Sequence, residues 1–307
     1  MKSFKIVYMG SPEFAVPGLE LLQKSQHQIL AVVSNPDKRR SRGGGPVPTD
    51  LKKRAIELKL PVIDAEDVHS PQFLDQIENL NPDLLVVVAF RILPNSILEI
   101  PKRGAINVHA SLLPKYRGAA PIHWAIIRGE KETGCTVFFL NEKVDTGQII
   151  AQKRTAIGEK ETTGELYERL KIMGAELLVD CVDRISEENY TLVKQNDEEA
   201  TSAPKLTKEN TRINFMQSAS DVHNMVRGLN PFPIAWCSYE GFKMNIYRVE
   251  PDLSLESEPG KLFVRDGKLY AGCAGGSVQI VDVQLPGTKV MSGQEFVNGY
   301  STDVILR

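Results

Sequence analysis

Only four cysteines occur in 307 residues, Cys135, Cys181, Cys237 and Cys273, and they stand far apart with no C-x-x-C pair. Neither a zinc cluster nor a disulfide framework is suggested, and a reducing cytoplasm is the compartment that fits. Long apolar runs are missing as well. Nowhere are there eighteen consecutive apolar residues, and the short run in "MKSFKIVYMGSPEF" has no cleavage site behind it, so neither a signal peptide nor a membrane span is expected. Net charge is nearly absent: 37 Lys plus Arg against 39 Asp plus Glu leave −2. That balance points to no general affinity for nucleic acid or membrane, although a local basic patch can still act. A second glycine is missing from the first turn, where "MGSPEF" carries only Gly10 in place of the G-x-G-x-x-G of dinucleotide enzymes. A nicotinamide enzyme is therefore disfavoured.

What is present is the balance of a globular chain with ample core, 42% apolar and 25% charged, at a length that favours two domains. In the first half, the β-branched runs "KIVYMG", "ILAVVS", "DLLVVVAF", "GAINVHA" and "GCTVFFL" are apolar on both faces, as parallel strands covered by helices should be. Helical stretches alternate with them: "FAVPGLELLQKS", "TDLKKRAIELK", "PQFLDQIENL" and "APIHWAIIRG". This order predicts a doubly wound, Rossmann-like α/β domain with a parallel sheet. At Thr162 the capping pattern "TTGE" opens a long helix with Leu166, Leu170, Met173, Leu177, Cys181 and Ile185 along one face. We read residues 1–189 as this α/β domain and 190–207 as a polar linker, with one strand at "YTLV". Residues 208–307 are read as a small antiparallel β-barrel of OB type, with a hairpin at "RDGK". No internal repeat or low-complexity tract is found.

In an open α/β sheet the ligand crevice lies outside the carboxyl ends of the strands. "GAINVHA" puts Asn107 and His109 there, two apart and hence on one side of the strand. An amide donor and an imidazole suit acyl chemistry, in which a carbonyl under attack develops oxyanion charge. They equally suit a satisfied polar pair at a strand end. "VDTG" after the next apolar run adds Asp145, at the same edge if the strands are neighbours, where a carboxylate would orient His109; the alternative is a simple Asp-Thr-Gly turn. Between Asn35 and Asp50, "NPDKRRSRGGGPVPTD" packs Lys38, Arg39, Arg40 and Arg42 into five residues ahead of three glycines, which reads as either an RNA-contacting or a merely solvated loop.

Together, "NVHASLLPKYRGAAPIHWAI", "VDTGQII", "IVYMGSPEFAVPGLE" and "GLNPFPIAW" closely resemble the methionyl-tRNA formyltransferase family, in order and over essentially the whole chain. The resemblance implies formyl transfer from 10-formyltetrahydrofolate to the α-amine of methionyl initiator tRNA. By the same resemblance Asn107, His109 and Asp145 match the catalytic trio, and Ser111, Leu112, Leu113 and Pro114 match the folate-contacting loop. The resemblance also implies that Lys38, Arg39, Arg40 and Arg42 lie in a loop that reaches the tRNA acceptor end, with Phe14 in the neighbouring turn as a wedge. No metal, no DNA, no membrane and a monomer are expected. One departure is that residues 205–307 hold eleven Lys plus Arg and eleven Asp plus Glu, where an RNA-binding face should be basic. A formyltransferase acting on a sugar-nucleotide or other small amine, a hydrolase of the same folate, and a non-catalytic RNA-binding protein remain as alternatives.

Overall fold

The structure is a computed structural model that describes residues 2–39 and 45–307, Arg39 by its backbone alone. It divides into two compact units. The first comprises Met1–Gly118, Thr133–Thr155 and Tyr167–Ser202; the second comprises Ala119–Glu132, Ala156–Leu166 and Ala203–Arg307.

The first unit is built on a seven-stranded sheet made of β1 (Lys5–Gly10), β2 (Gln28–Ser34), β5 (Val62–Asp64), β6 (Leu84–Val88), β7 (Ala105–His109), β9 (Glu132–Phe139) and β10 (Ile149–Ala156). Their spatial order is β10-β9-β7-β6-β1-β2-β5. The pairs β1–β2, β1–β6, β2–β5 and β6–β7 are parallel, as the apolar runs predict. All five residues of β6, "LLVVV", are buried, and each such side chain contributes about 1.5–3 kcal/mol relative to exposure. Two strands of the sheet, β5 and β10, escape the sequence reading. The first has three residues, and the second ends in the polar "QKRTA".

Helices α1 (Val16–Gln23), α2 (Asp50–Glu57), α3 (Pro71–Leu80), α4 (Asn95–Leu98) and α6 (Thr163–Ser186) connect and cover these strands, while α5 (Pro121–Ile127) belongs to the second unit. α3 follows its sequence closely. The Ser70 hydroxyl accepts from the Phe73 amide at 3.2 Å, Pro71 occupies the first turn, and Asn81 ends the helix in the left-handed region at φ 46°. α6 opens on the expected capping box: Thr162 N–H donates to Glu165 Oε2 at 2.8 Å, and Glu165 N–H donates to Thr162 Oγ1 at 3.3 Å. Its stripe buries Leu166, Leu170, Leu177, Cys181 and Ile185. Lys38–Arg39 (β3) and Pro46–Val47 (β4) pair antiparallel, so the basic loop begins and ends as a hairpin stem. Arg40 and Arg42 lie outside the described residues. Arg117–Gly118 (β8) and Ser202–Ala203 (β11) form a further two-stranded pair. At "YTLV" there is no strand; Val193 alone makes an isolated bridge to Ile149.

In the second unit, β12 (Ala235–Tyr239), β13 (Phe242–Asp252), β14 (Leu262–Arg265), β15 (Lys268–Gly272) and β16 (Ser277–Gln284) run in the order β12-β13-β16-β15-β14, with β17 (Met291–Ser292) on β16. The hairpin at Asp266–Gly267 has φ 49° and 72°, the left-handed pair that a two-residue turn requires. Residues 304–307 close the barrel. Leu262 N–H donates to the Val304 carbonyl at 2.9 Å, Leu306 N–H to that of Gly260 at 2.7 Å, and Arg307 exchanges backbone hydrogen bonds with Ser238. Helices α7 (Ala219–Gly228) and α8 (Gly293–Gly299) and α5 pack with this sheet's core, which includes Val222, Tyr239, Ile246, Leu269 and Phe296.

Candidate active site

Of the residues singled out, His109 and Asp145 come together. Asn107 and His109 share one side of the strand, and the His109 ring, only 7% exposed, has its Nδ1 3.7 Å from Asp145 Oδ2. The route differs from the one expected. β9 runs antiparallel to β7, with His109 opposite Thr136 and Ile106 opposite Phe139, so the end of β9 points away from the end of β7. The turn between Phe139 and β10 returns the chain, and Asp145 sits in it at φ 55°.

One short segment holds both partners. His109 Nε2 lies 2.8 Å from the Tyr116 carbonyl oxygen, which can only accept, so Nε2 carries the hydrogen and Nδ1 is the nitrogen turned to Asp145. Two residues on, the Gly118 N–H donates to Asp145 Oδ2 at 2.8 Å. Tyr116 itself is left-handed at φ 62°, and its N–H donates to Thr201 Oγ1 at 2.9 Å. The Asn107 side chain is half-buried with no hydrogen-bond partner among the described residues.

The loop "SLLP" is largely internal. Ser111 is fully buried and donates to the Lys115 carbonyl at 2.7 Å; Leu113 packs with Phe138 and Ile149. Thr136 and Gln152 tie the loop backbone. Thr136 Oγ1 donates to the Ser111 carbonyl and accepts from Leu113 N–H, and Gln152 Nε2 donates to the Leu113 carbonyl. Leu112 and Pro114 remain half-buried, so of the four loop residues it is these two whose side chains reach the surface. Phe14 is in the core at 7% exposure, edge-on to Tyr167 at 5.4 Å, because the short helical turn that follows β1 directs its ring inward. Its wedge role therefore has no exposed ring to rest on. Lys38 is exposed.

A separate crevice of about 410 Å³ lies at the switch point between β1 and β6, lined by Ser11, Pro12, Asn35, Asp50, Phe90 and Arg91 among others. Sequence reasoning also missed Gln195, inside the stretch read as linker. It is 7% exposed, and its Nε2 donates to the carbonyls of Asp145 at 2.9 Å and Gly147 at 2.8 Å. Arg117 donates through Nε and a terminal nitrogen to Gln195 Oε1, and through the latter to Asp197, whose carboxyl it holds below the usual carboxylate range. The four thiols are unsuited to nucleophilic work, since burial pushes each up to about 12. Among the described residues no group of His, Cys, Asp or Glu is arranged to hold a metal, and no helix is long and apolar enough to cross a membrane.

A mostly parallel sheet with Asn and His at the end of one strand and Asp in a turn that returns to the His, followed in sequence by a small β-barrel, is the layout of a formyl transferase. That family's pattern matches residues 4–182, and the pattern of its C-terminal domain matches residues 205–301. Relatives called methionyl-tRNA formyltransferase, from Chlorobium limicola and Alkaliphilus oremlandii, are 43% and 42% identical to this chain, each over 96% of both sequences. The chain belongs to the methionyl-tRNA formyltransferase family. Solved structures with a similar fold include an N-formyltransferase from Helicobacter canadensis in complex with folinic acid and dTDP-3-aminofucose (TM-score 0.66, 22% identity, 90% of this chain and 98% of that one). HypX from Aquifex aeolicus, solved with tetrahydrofolic acid, matches at TM-score 0.65 and 18% identity over 98% of this chain and 49% of its own.

Proposed function

We propose that this chain transfers the formyl group of 10-formyltetrahydrofolate to the α-amino group of methionyl initiator tRNA, the modification used in translation initiation. The observation that carries the reading is the identity of 43% and 42% to enzymes named for that acceptor, kept over 96% of the length and thus through both units. Residues 1–189 carry the catalytic groups and 208–307 the tRNA-binding barrel, with 190–207 running from one to the other. The protein acts as a cytoplasmic monomer, without DNA, membrane or metal.

The chemistry assigned to each residue follows from its atoms. The acceptor amine forms a bond to the formyl carbon and loses a proton; the bond from that carbon to N10 of the folate breaks, and N10 gains a proton. Asn107, with its amide uncommitted, donates to the formyl oxygen as charge grows on it. His109, its Nε2 hydrogen committed to Tyr116, serves the same oxygen from Nδ1 when protonated. Asp145 orients that nitrogen and relays the amine's proton. Leu112 and Pro114 offer apolar contact to a flat pterin, and Ser111 and Leu113 shape the loop from within. Lys38, Arg39, Arg40 and Arg42 meet phosphates of the acceptor stem.

The test is to incubate the protein with 10-formyltetrahydrofolate and charged initiator tRNA, with the folate and amino-sugar nucleotides, and with the folate alone. Formyl-methionyl tRNA is the expected product. Transfer only to a sugar amine, or folate hydrolysis without transfer, would overturn the assignment.

A further inference from the structure

We propose that Gln195 is a positioning residue for the transfer reaction, acting through Asp145; the inference rests on the reading that Asp145 takes part in the chemistry. The distance of 3.7 Å between His109 Nδ1 and Asp145 Oδ2 exceeds a hydrogen bond, so the pair does not hold itself in place. Asp145 is held from elsewhere. Its carboxylate accepts from Gly118 N–H and its own carbonyl accepts from Gln195, while its backbone sits in the left-handed region that side chains other than glycine rarely adopt.

The Gln195 amide is fully used. Its NH2 group spans the carbonyls of Asp145 and Gly147, on either side of Thr146, and its oxygen accepts twice from Arg117. Chemistry fixes the orientation of this amide, because turning it over would aim the NH2 at a guanidinium and the oxygen at two carbonyls. Arg117 lies between Tyr116, which accepts from His109, and Gly118, which donates to Asp145. Gln195 thereby ties the Asp145 turn to the short segment Tyr116–Gly118, whose first carbonyl holds the imidazole. Without its two donors the turn is released on the carbonyl side, and the separation of carboxylate and imidazole is no longer set.

Gln195→Glu separates this role from packing. A glutamate keeps the size and pairs with Arg117, but turns acceptors toward the two carbonyls. The expected result is a kcat lowered by about tenfold or more, KM for folate and charged tRNA within about threefold, faster amide exchange over residues 141–148, and a melting temperature lowered because two carbonyls lose their donors. In an Asp145→Asn background the same change should alter kcat by less than about twofold, because both substitutions remove one function. If the glutamate variant fails to fold, Gln195→Met carries the same expectations. A kcat within about twofold of wild type in the single variant, or losses that multiply in the double variant, would overturn the role of Gln195. Wild-type turnover in Asp145→Asn alone would instead remove the reading on which it rests, and the proposal with it.

Discussion

Gly147→Ala tests how closely the Asp145 turn must be seated. A Cβ on Gly147 would overlap the Phe139 carbonyl oxygen, lie 2.8 Å from the carbonyl carbon and stand 3.3 Å from the Phe138 ring. The obstacle is backbone at the end of β9, where Phe139 pairs opposite Ile106 and its N–H donates to the Gln148 carbonyl at 3.0 Å. The turn must therefore retreat, by on the order of 1 Å, and a displacement of that size costs about a hundredfold in rate when it separates catalytic groups. Asp145 lies two residues away and moves with it. Overpacking of this kind also costs about 1–3 kcal/mol, or roughly 2–4 °C per kcal/mol in a chain somewhat smaller than this one. The assay is steady-state formylation with both KM values, alongside calorimetry. Gly299→Ala serves as the control, because nothing lies within 4 Å of its added methyl group. A Gly147→Ala enzyme with wild-type kcat would refute the claim that this close approach sets the position of Asp145.

Replacing Asn107 or His109 by Ala should lower kcat by more than about a hundredfold with little change in folate affinity, since the donors act on charge that develops in the transition state; near-normal turnover would end the mechanism. Changing Lys38, Arg39, Arg40 and Arg42 to Ser should raise KM for charged tRNA and leave the folate KM alone. Each lost phosphate contact should also flatten the log-log salt dependence by roughly 0.7–0.9, and unaltered tRNA kinetics would point to a small-molecule acceptor. The four cysteines should resist iodoacetamide in the native protein through the neutral and mildly alkaline range. Burial raises each thiol to about 12, so the thiolate is withheld until near that pH, whereas urea-unfolded chain should be alkylated at all four positions around pH 8.5; rapid native labelling at pH 8 would contradict the burial.

Much of the first unit is legible because its signals are local. "KIVYMG" becomes β1 over the same six residues, and Ser70, Pro71 and Asn81 mark α3 at both ends. The Asn107–His109 pairing is legible too, since a period-2 strand allows no other arrangement of the two. What local pattern does not carry is strand direction. The run "GCTVFFL" is as apolar as a parallel strand, yet it enters the sheet reversed, and Asp145 meets His109 through a returning turn instead of a shared edge. Gln195 was hidden for a different reason. In a polar, aperiodic stretch an amide that bonds two carbonyls looks like one that bonds water, and only the fold says which carbonyls lie beside it.

The discontinuous second unit changes what it would mean to exchange parts between relatives. The two family patterns meet between residues 182 and 205, which suggests one cut and two modules. The second unit, however, takes α5 and the segment Ala156–Leu166, which includes the first turn of α6, from upstream of that point. α5 packs on α7, Trp124 donates to the Pro204 carbonyl, and Thr163 donates to that of Gly228. A chimera joined at a single seam would inherit a barrel from one parent and the helix that lines it from the other. A compatible graft exchanges three segments through five seams, carrying residues 119–132 and 156–166 along with 203–307, so the barrel can be inherited as a unit only with pieces of the chain that precedes it.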